Sequence, residues 1–403
     1  MTLVDKINWK ISEKDMYTGC EGIIEILTKG KFAAKKNEPI LIIGDRNHLN
    51  DPEMTGSVSY TETLADILRE KLSDNVLVKY LPTFEKKMGD FDQSMIKEAN
   101  KRRVVIGAYS HPFLDGESAK PAWGSWFHKE FMGKVDRFDA EKATGKELWV
   151  VAGRQTPEIL KLLTAKNIRN SDKLSAKLTA YLEENAGKQV LAETSGKNYG
   201  KCELRLYIPT PDEFEIIDGN HESNDPIINI PGGEVFFGPS WNRDPSERAH
   251  GRICMNETVW YYLTQPVDDG EILWEIAGGK IVKISHTGGK KAKEYAAKIK
   301  EITIDADLEE FTKEYAGAIG EFAIGTNIGA VGLNMNDVNY NTTVAEKQKG
   351  FHIAHGANNH FGENYQKRGI PKGEHIDHMF TKGNVYVGDD LLMKEGEIQT
   401  KLL

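Results

Sequence analysis

The sequence predicts a Rossmann-like α/β domain over residues 1–205, followed by a β-rich α+β domain over residues 206–403. Three observations carry this prediction. The chain has 403 residues, more than a single compact core ordinarily serves. Its first half alternates short β-branched runs with helical periodicities, the pattern of βαβ units around a parallel sheet. Its second half changes to closely spaced strand-like runs joined by glycine turns.

Taken in order, PILIIG (39–44) is a short apolar run ending in glycine, and YTETLADILREKL (60–72) places apolar side chains at helical spacing. NVLVKYLP, RRVVIGAY and ELWVVAG (147–153) read as further strands, with helical patterns at TPEILKLLTAK and SDKLSAKLTAYLEENA. No GxGxxG follows the first strand, where the chain reads IIGDRNHLND, and no Walker A loop occurs, so a dinucleotide or P-loop site is not expected. The aromatic and glycine-rich segment 111–131 reads either as a lid over a cleft or as a helix packed at a domain interface. Beyond it, ELRLYIP, GEVFFGP, ICMNETVWYYL, EILWEI and KIVKISH are strand-like, and Ala277-Gly278-Gly279 forms the turn of a hairpin. Lys290–Ile302 and Asp307–Tyr315 have amphipathic helical spacing, the lysine run being a solvated face.

Charge and composition narrow the partners. The chain carries 52 basic and 61 acidic residues, a formal charge of −9. That balance gives no electrostatic hold on nucleic-acid phosphates. No apolar run approaches the roughly 18 to 20 residues of a membrane span. The N-terminus lacks the apolar core of a signal peptide, which points to the cytoplasm. Cys20, Cys202 and Cys254 form no CxxC pair and read as reduced thiols.

Histidine is distributed unevenly. Of 11 histidines, His352, His355, His360, His375 and His378 fall within 27 residues. His375 and Asp377 stand at i and i+2, so on a strand both side chains face one way and can reach one metal ion. His352, in FHIAHG, is another strand candidate, and imidazole with carboxylate suits Zn, Co, Mn or Fe(II). Glu234 follows the tight Pro-Gly-Gly of NIPGGEVF, and Glu321 lies inside the apolar run IGEFAIGTN. A carboxylate in such a setting needs a cation, because burying a free charge costs several kcal/mol. That cation is either an arginine from elsewhere, such as Arg243, Arg248 or Arg252, or a divalent ion shared with the histidines.

In that order and near those spacings, NIPGGEVF, IGEFAIGTN, FHIAHG and HIDHM resemble the M29 metallo-aminopeptidases, the aminopeptidase T group and its "leucyl aminopeptidase" branch. The motifs span roughly residues 226–390. The resemblance implies a homodimer that releases N-terminal residues from peptides with water activated by two divalent ions (Zn, Co, Mn or Mg). It places the metal ligands at Glu234, Glu321, His352, His375 and Asp377, with a further acidic ligand at Glu346 if a one-residue gap is allowed. It also makes Glu321 and Glu234 the catalytic carboxylates. The family has a catalytic tyrosine seven residues after the ligand corresponding to His352. This sequence has Asn359 there, with His360 beside it and Tyr365 the nearest tyrosine. Oxyanion stabilisation would then fall to the metals, to His360 or to Asn359. His355, His360 and His378 match no ligand position and read as supporting or surface residues.

Two other functions compete with hydrolysis. His352, His375 and Asp377 alone make a two-histidine, one-carboxylate set, as in non-haem Fe(II) oxygenases; ring-cleaving dihydroxypyridine dioxygenases are similar in fold and use such a set. Glu234 and Glu321 weigh against this, since one iron needs neither. The third reading is a metal-binding relative without catalysis.

Overall fold

Strands covered on both faces need apolar side chains at consecutive positions rather than alternate ones. The early runs follow that rule. β1 (Ile40–Gly44) is buried at every residue, β2 (Val76–Tyr80) is half-buried, and β3 (Val104–Ala108) is again buried throughout. They are followed by β4 (Leu148–Val151), β5 (Gln189–Gly196), β6 (Gly200–Tyr207), β7 (Ile217–Asp218) and β8 (Ile227–Asn229). A parallel sheet of order β2-β1-β3-β4-β8 results. The structure, a computed structural model, describes residues 9–46, 48–56, 58–80, 93–108, 148–151, 156–219, 227–239, 243–255, 258–259, 266–305, 315–327, 347, 350–358, 367, 369–370 and 375–403. Segment 111–131 and most of the expected helix Asp307–Tyr315 lie outside these residues.

The chain divides into two units, Met1–Asp172 with His221–Gly232, and Lys173–Asn220 with Gly233–Leu403. In the first, serine caps start the helices Glu13–Leu27 and Tyr60–Lys71. Ser12 Oγ accepts from the Asp15 N–H at 3.1 Å and Ser59 Oγ from that of Glu62 at 3.5 Å; each satisfies a donor the first turn leaves unpaired.

The second unit adds β9 (Glu234–Phe237), β10 (His250–Met255), β11 (Thr258–Val259), β12 (Pro266–Val267), β13 (Gly270–Ala277) and β14 (Lys280–Gly288). Its C-terminal strands are β15 (Ile319–Gly325), β16 (Phe351–His355), β17 (Ile376–Phe380), β18 (Asn384–Val387), β19 (Asp390–Lys394) and β20 (Glu397–Ile398). An eight-stranded sheet runs β14-β13-β10-β6-β5-β18-β19-β20, and a five-stranded sheet runs β17-β16-β15-β9-β7. All pairs in both are antiparallel. The β13–β14 hairpin turns at Gly278 and Gly279, with φ of 58° and 82°. Two consecutive positive φ values make the tight turn whose twist matches the strands, and glycine adopts them without Cβ strain.

A large core serves this unit. Trp274 of β13, Phe237 of β9, Phe322 of β15, Ile353 of β16 and Tyr295 of the helix Lys290–Thr303 belong to the same buried cluster. Phe322 pairs directly with Phe237 and with Ile353, so these residues share one face of the five-stranded sheet and turn it into the core. The opposite face is left for Glu321 and its neighbours. The described residues form a mixed α/β architecture with one five-stranded parallel sheet and antiparallel sheets of eight, five and two strands. No helix among the described residues is long and apolar enough to cross a membrane, and all three cysteines are buried free thiols.

Candidate metal centre

Strand pairing gathers the acidic and imidazole side chains. Residues directly opposite in antiparallel strands share a face, and residues two apart on one strand do too. Glu321 on β15 lies opposite Ala354 on β16, and Ala354 lies opposite Asp377 on β17. Two residues before Ala354, His352 lies opposite Ala323; two residues beyond Ala323, Gly325 lies opposite Glu234. The ligand-type residues thus alternate with Ala354, Ala323 and Gly325, whose small side chains leave room above the sheet. A bulge between Ile319 and Glu321 offsets the register just before Glu321, a local device that re-aims a side chain.

The polar atoms converge. His352 Nε2 lies 2.9 Å from Glu321 Oε1, 3.7 Å from Glu234 Oε2 and 3.8 Å from Asp377 Oδ1. His375 Nε2 lies 3.3 Å from Glu321 Oε2 and 3.2 Å from Asp377 Oδ1. Two triads follow, Glu234–Glu321–His352 and Glu321–His375–Asp377, and Glu321 belongs to both. The first is buried, whereas the His375 and Asp377 side chains retain 22% and 19% exposure. Solvent therefore reaches the cluster from the His375–Asp377 side. The ring of His375 is oriented from behind, its Nδ1 lying 2.8 Å from the Ala357 carbonyl. An Nδ1–H donated there aims Nε2 at the carboxylates, the orientation of histidines that ligate metals.

These residues fit a divalent ion. Around a tetrahedral centre with bonds near 2.0 to 2.1 Å, donors stand about 3.3 Å apart, within the observed spread. Oε2 of Glu234 is buried with no hydrogen-bond partner among the described residues, a cost that a cation would relieve. Nδ1 of His352 is likewise without one.

The partner of Glu234 was not legible in the sequence. Lys347 Nζ donates to Glu234 Oε1, and both side chains are buried, at 6% and 9% exposure. The lysine backbone is fixed as well, its carbonyl accepting from the Asn327 N–H at 2.9 Å. Of the arginines proposed as alternatives, Arg243 instead donates to Glu213 at 2.7 and 2.8 Å, and Arg248 donates to the Arg243 carbonyl. Glu346, Asn359, His360 and Tyr365 lie outside the described residues.

The remaining histidines sit on the other face of the sheet. His378 Nε2 lies 2.9 Å from His355 Nδ1, and Tyr295 Oη is hydrogen-bonded with His378 Nδ1. Trp274 stands edge-on to both rings, with centroids 4.4 and 6.0 Å away. Burial, reinforced by the neighbouring histidines, pushes the pKa of His355 down to about 3 and that of His378 well below its ordinary value. Both rings are neutral, and they are core residues supporting the site strands.

On the site face the shifts run the other way. Burial alone would lower His352, but the hydrogen bond to Glu321 and the charges of Glu321, Glu234 and Asp377 hold it up at about 9. His375 is raised well above 6.5 by Asp377 and Glu321 despite burial. Glu321 stays ionised because the two imidazoliums outweigh its desolvation. In the metal-free protein both imidazoles are therefore protonated at neutral pH, and a metal must displace those protons. Loading at pH 7 is expected to release about two protons per chain, with metal affinity rising as pH approaches 9. Isothermal titration in buffers of different ionisation enthalpy measures the count; release of none would mean the imidazoles are not ligands. The metal-free protein has the converse linkage. The stabilisation from His352 is complete below its unfolded pKa near 6.5 and is lost as pH rises through about 9.

No protein-family model matches the chain, and no curated protein matches it by sequence. Solved structures do match in fold. The chain is similar to 2,5-dihydroxypyridine dioxygenase from Pseudomonas putida KT2440, with a TM-score of 0.60 at 14% identity over 96% of this chain and 98% of that one. It is also similar to AmpT from Thermus thermophilus, with a TM-score of 0.58 at 14% identity over 94% of this chain and 99% of that one. At such identity the likeness is one of fold.

Proposed function

We propose that this chain is a metal-dependent hydrolase of the aminopeptidase type, acting on the N-termini of peptides. The observation that carries the reading is the position of Glu321, whose two carboxylate oxygens face His352 and His375 separately while Asp377 completes the exposed side. The four sequence motifs that resemble M29 enzymes supply these residues, and the fold shared with AmpT is consistent with them. The resemblance also implies a homodimer.

Glu321, His352, His375 and Asp377 would hold the divalent centre. Such an ion, when bound, supplies a water of lowered pKa and an electrophilic contact for a carbonyl oxygen. The protein supplies the rest. Lys347 fixes Oε1 of Glu234 and leaves Oε2 turned towards His352. Burial raises the carboxyl pKa of Glu234 against the pull of Lys347 and His352, which moves it towards the range useful for proton transfer near neutral pH. Glu234 is thus the group to take the proton from the attacking water and return it to the leaving amine. The open side at His375 and Asp377 admits the substrate. With Asn359 where the family has tyrosine, no side chain among the described residues replaces that acid.

The prediction is metal-stimulated hydrolysis of aminoacyl-p-nitroanilides, assayed after removal of bound ions and reconstitution with Zn, Co, Mn or Mg. Absence of stimulation across a broad amino-acid panel would sink the hydrolase reading. One observation favours the second reading, an Fe(II) ring-cleaving dioxygenase: both His375 and His352 approach Asp377 Oδ1, at 3.2 and 3.8 Å, as a two-histidine, one-carboxylate set requires. Oxygen uptake on dihydroxylated pyridines with iron bound would establish it. Stable metal binding with neither activity would leave the non-catalytic relative.

A further inference from the structure

We infer that Asn358 is a positioning residue of the metal centre, its amide setting both the bulge from which Glu321 projects and the peptide whose carbonyl orients His375. The inference rests on the metal-centre reading above and holds for either of the reactions weighed there. Asn358 stands three residues beyond the end of β16 and is 1% exposed. A side-chain amide buried to that degree must place both its donor and its acceptor. Nδ2 donates to the Gly320 carbonyl at 2.9 Å, and Oδ1 accepts from the Ile370 N–H at 2.6 Å. The two partners fix which way the amide faces, since the flipped group would set oxygen against oxygen and N–H against N–H.

The first of these bonds acts on Glu321. Ile319 and Glu321 face His355 and Ala354, which are neighbours on β16, so Gly320 is the inserted residue of the bulge. A bulge takes such a residue out of the ladder, and Asn358 gives its carbonyl a donor. That carbonyl belongs to the same planar peptide as the Glu321 N–H. By holding it, Asn358 fixes the plane from which the Glu321 side chain sets out. The chains are close here: a Cβ on Gly320 would lie 2.5 Å from the Gly356 carbonyl oxygen. The Gly356 N–H in turn donates to the Ala318 carbonyl at 2.9 Å.

The second bond acts on His375. The Asn358 N–H donates to the Ile370 carbonyl at 3.1 Å, so the backbone and side chain of Asn358 together clamp the N–H and C=O of Ile370. In a trans peptide the N–H and C=O point opposite ways. Holding the Asn358 N–H therefore turns the Ala357 carbonyl to the other side, where it lies 2.8 Å from His375 Nδ1. A backbone carbonyl cannot be deleted by substitution, and Asn358 is the side chain through which its placement can be changed.

The test uses the full chain, stripped with a chelator and titrated with Co(II), whose visible spectrum follows ligand geometry. Asn358→Ala is expected to weaken Co(II) binding by about 10- to 100-fold, as loss of a group that orients ligands does, and to shift the absorption bands at saturation. Asn358→Ser keeps a hydroxyl that reaches one partner but cannot span both, and should stay more than about threefold weaker than the parent chain. Leu392→Ala is the control for stability. It hollows the core at β19 of the eight-stranded sheet, which carries none of the ligands. It should lower the urea midpoint yet keep the parent's Co(II) affinity and spectrum. Affinity within about threefold of the parent in Asn358→Ala or Asn358→Ser, or an equal loss in Leu392→Ala, would overturn the inference while leaving the metal centre intact. No binding by the parent chain would overturn the metal-centre reading itself.

Discussion

Replacing Glu321 by Gln is expected to remove most of the metal affinity, by at least about a hundredfold, and with it the metal-dependent activity. Partners of ligating residues already cost 10- to 100-fold when mutated, and Glu321 does more than a partner. Its carboxylate faces His352 at 2.9 Å and His375 at 3.3 Å and is common to both triads. Glutamine preserves the length and one acceptor oxygen but surrenders the charge and replaces the other oxygen with a donor. A donor there would meet a protonated or metal-directed imidazole nitrogen. The change should also be visible without metal. His352 is held up at about 9 chiefly by Glu321 acting against burial, so in the variant its pKa should fall sharply. Elemental analysis after reloading and imidazole titration by NMR measure the two effects. A variant that keeps a full complement of tightly bound ion would exclude Glu321 from the centre.

The second large effect concerns stability. Lys347→Met is expected to destabilise the metal-free protein by about 3–5 kcal/mol, the range for stripping one partner from a buried ion pair. Methionine matches the shape of the lysine stem, so little packing is lost and the cost comes from Glu234. Its carboxylate is left buried beside Glu321 with only His352, 3.7 Å from its Oε2, as a positive neighbour, and it must either stay charged without its hydrogen-bonded cation or take up a proton. Adding Glu234→Gln should recover most of the loss, because a neutral amide needs no counter-charge. Urea unfolding of the two single variants and the double variant supplies the cycle. Additive losses would mean that the pair is not coupled.

How far the sequence could be read depended on whether a residue's chemistry was visible from its own neighbourhood. A carboxylate inside IGEFAIGTN contradicts its surroundings, and the HxD spacing places two donors on one side of a strand, so Glu321, His375 and Asp377 could be singled out before any pairing was known. The fold then sets them on one face of one sheet. Lys347 offered no such contradiction. It lies in a polar stretch of sequence among other charged residues, and only the position of its side chain beside Glu234 of β9 makes it that residue's cation. Arg243, nearer in sequence, does not fill that place, because it pairs with Glu213. Strand pairing at long range was equally hidden. β5 lies beside β18, a match between residues near 190 and residues near 386 that no local periodicity encodes. His355 and His378 could be set apart from the ligands, but their burial against Trp274 and Tyr295 required the other faces of β16 and β17.

The strand β8 has a consequence for how this protein can be taken apart. Residues His221–Gly232 return to the first unit after the chain has already built part of the second, and β8 within them completes the parallel sheet beside β4. Neither unit is therefore a single uninterrupted stretch of gene. A truncation that ends before β8 strips the parallel sheet of an outer strand and bares the hydrogen-bonding edge of β4. One that starts after it deprives the eight-stranded sheet of β5 and β6. Shuffling, tagging or expressing the metal-bearing half as an independent module would in each case expose a sheet edge prone to association. A piece of the chain that keeps every strand of both units intact must therefore span both sides of β8.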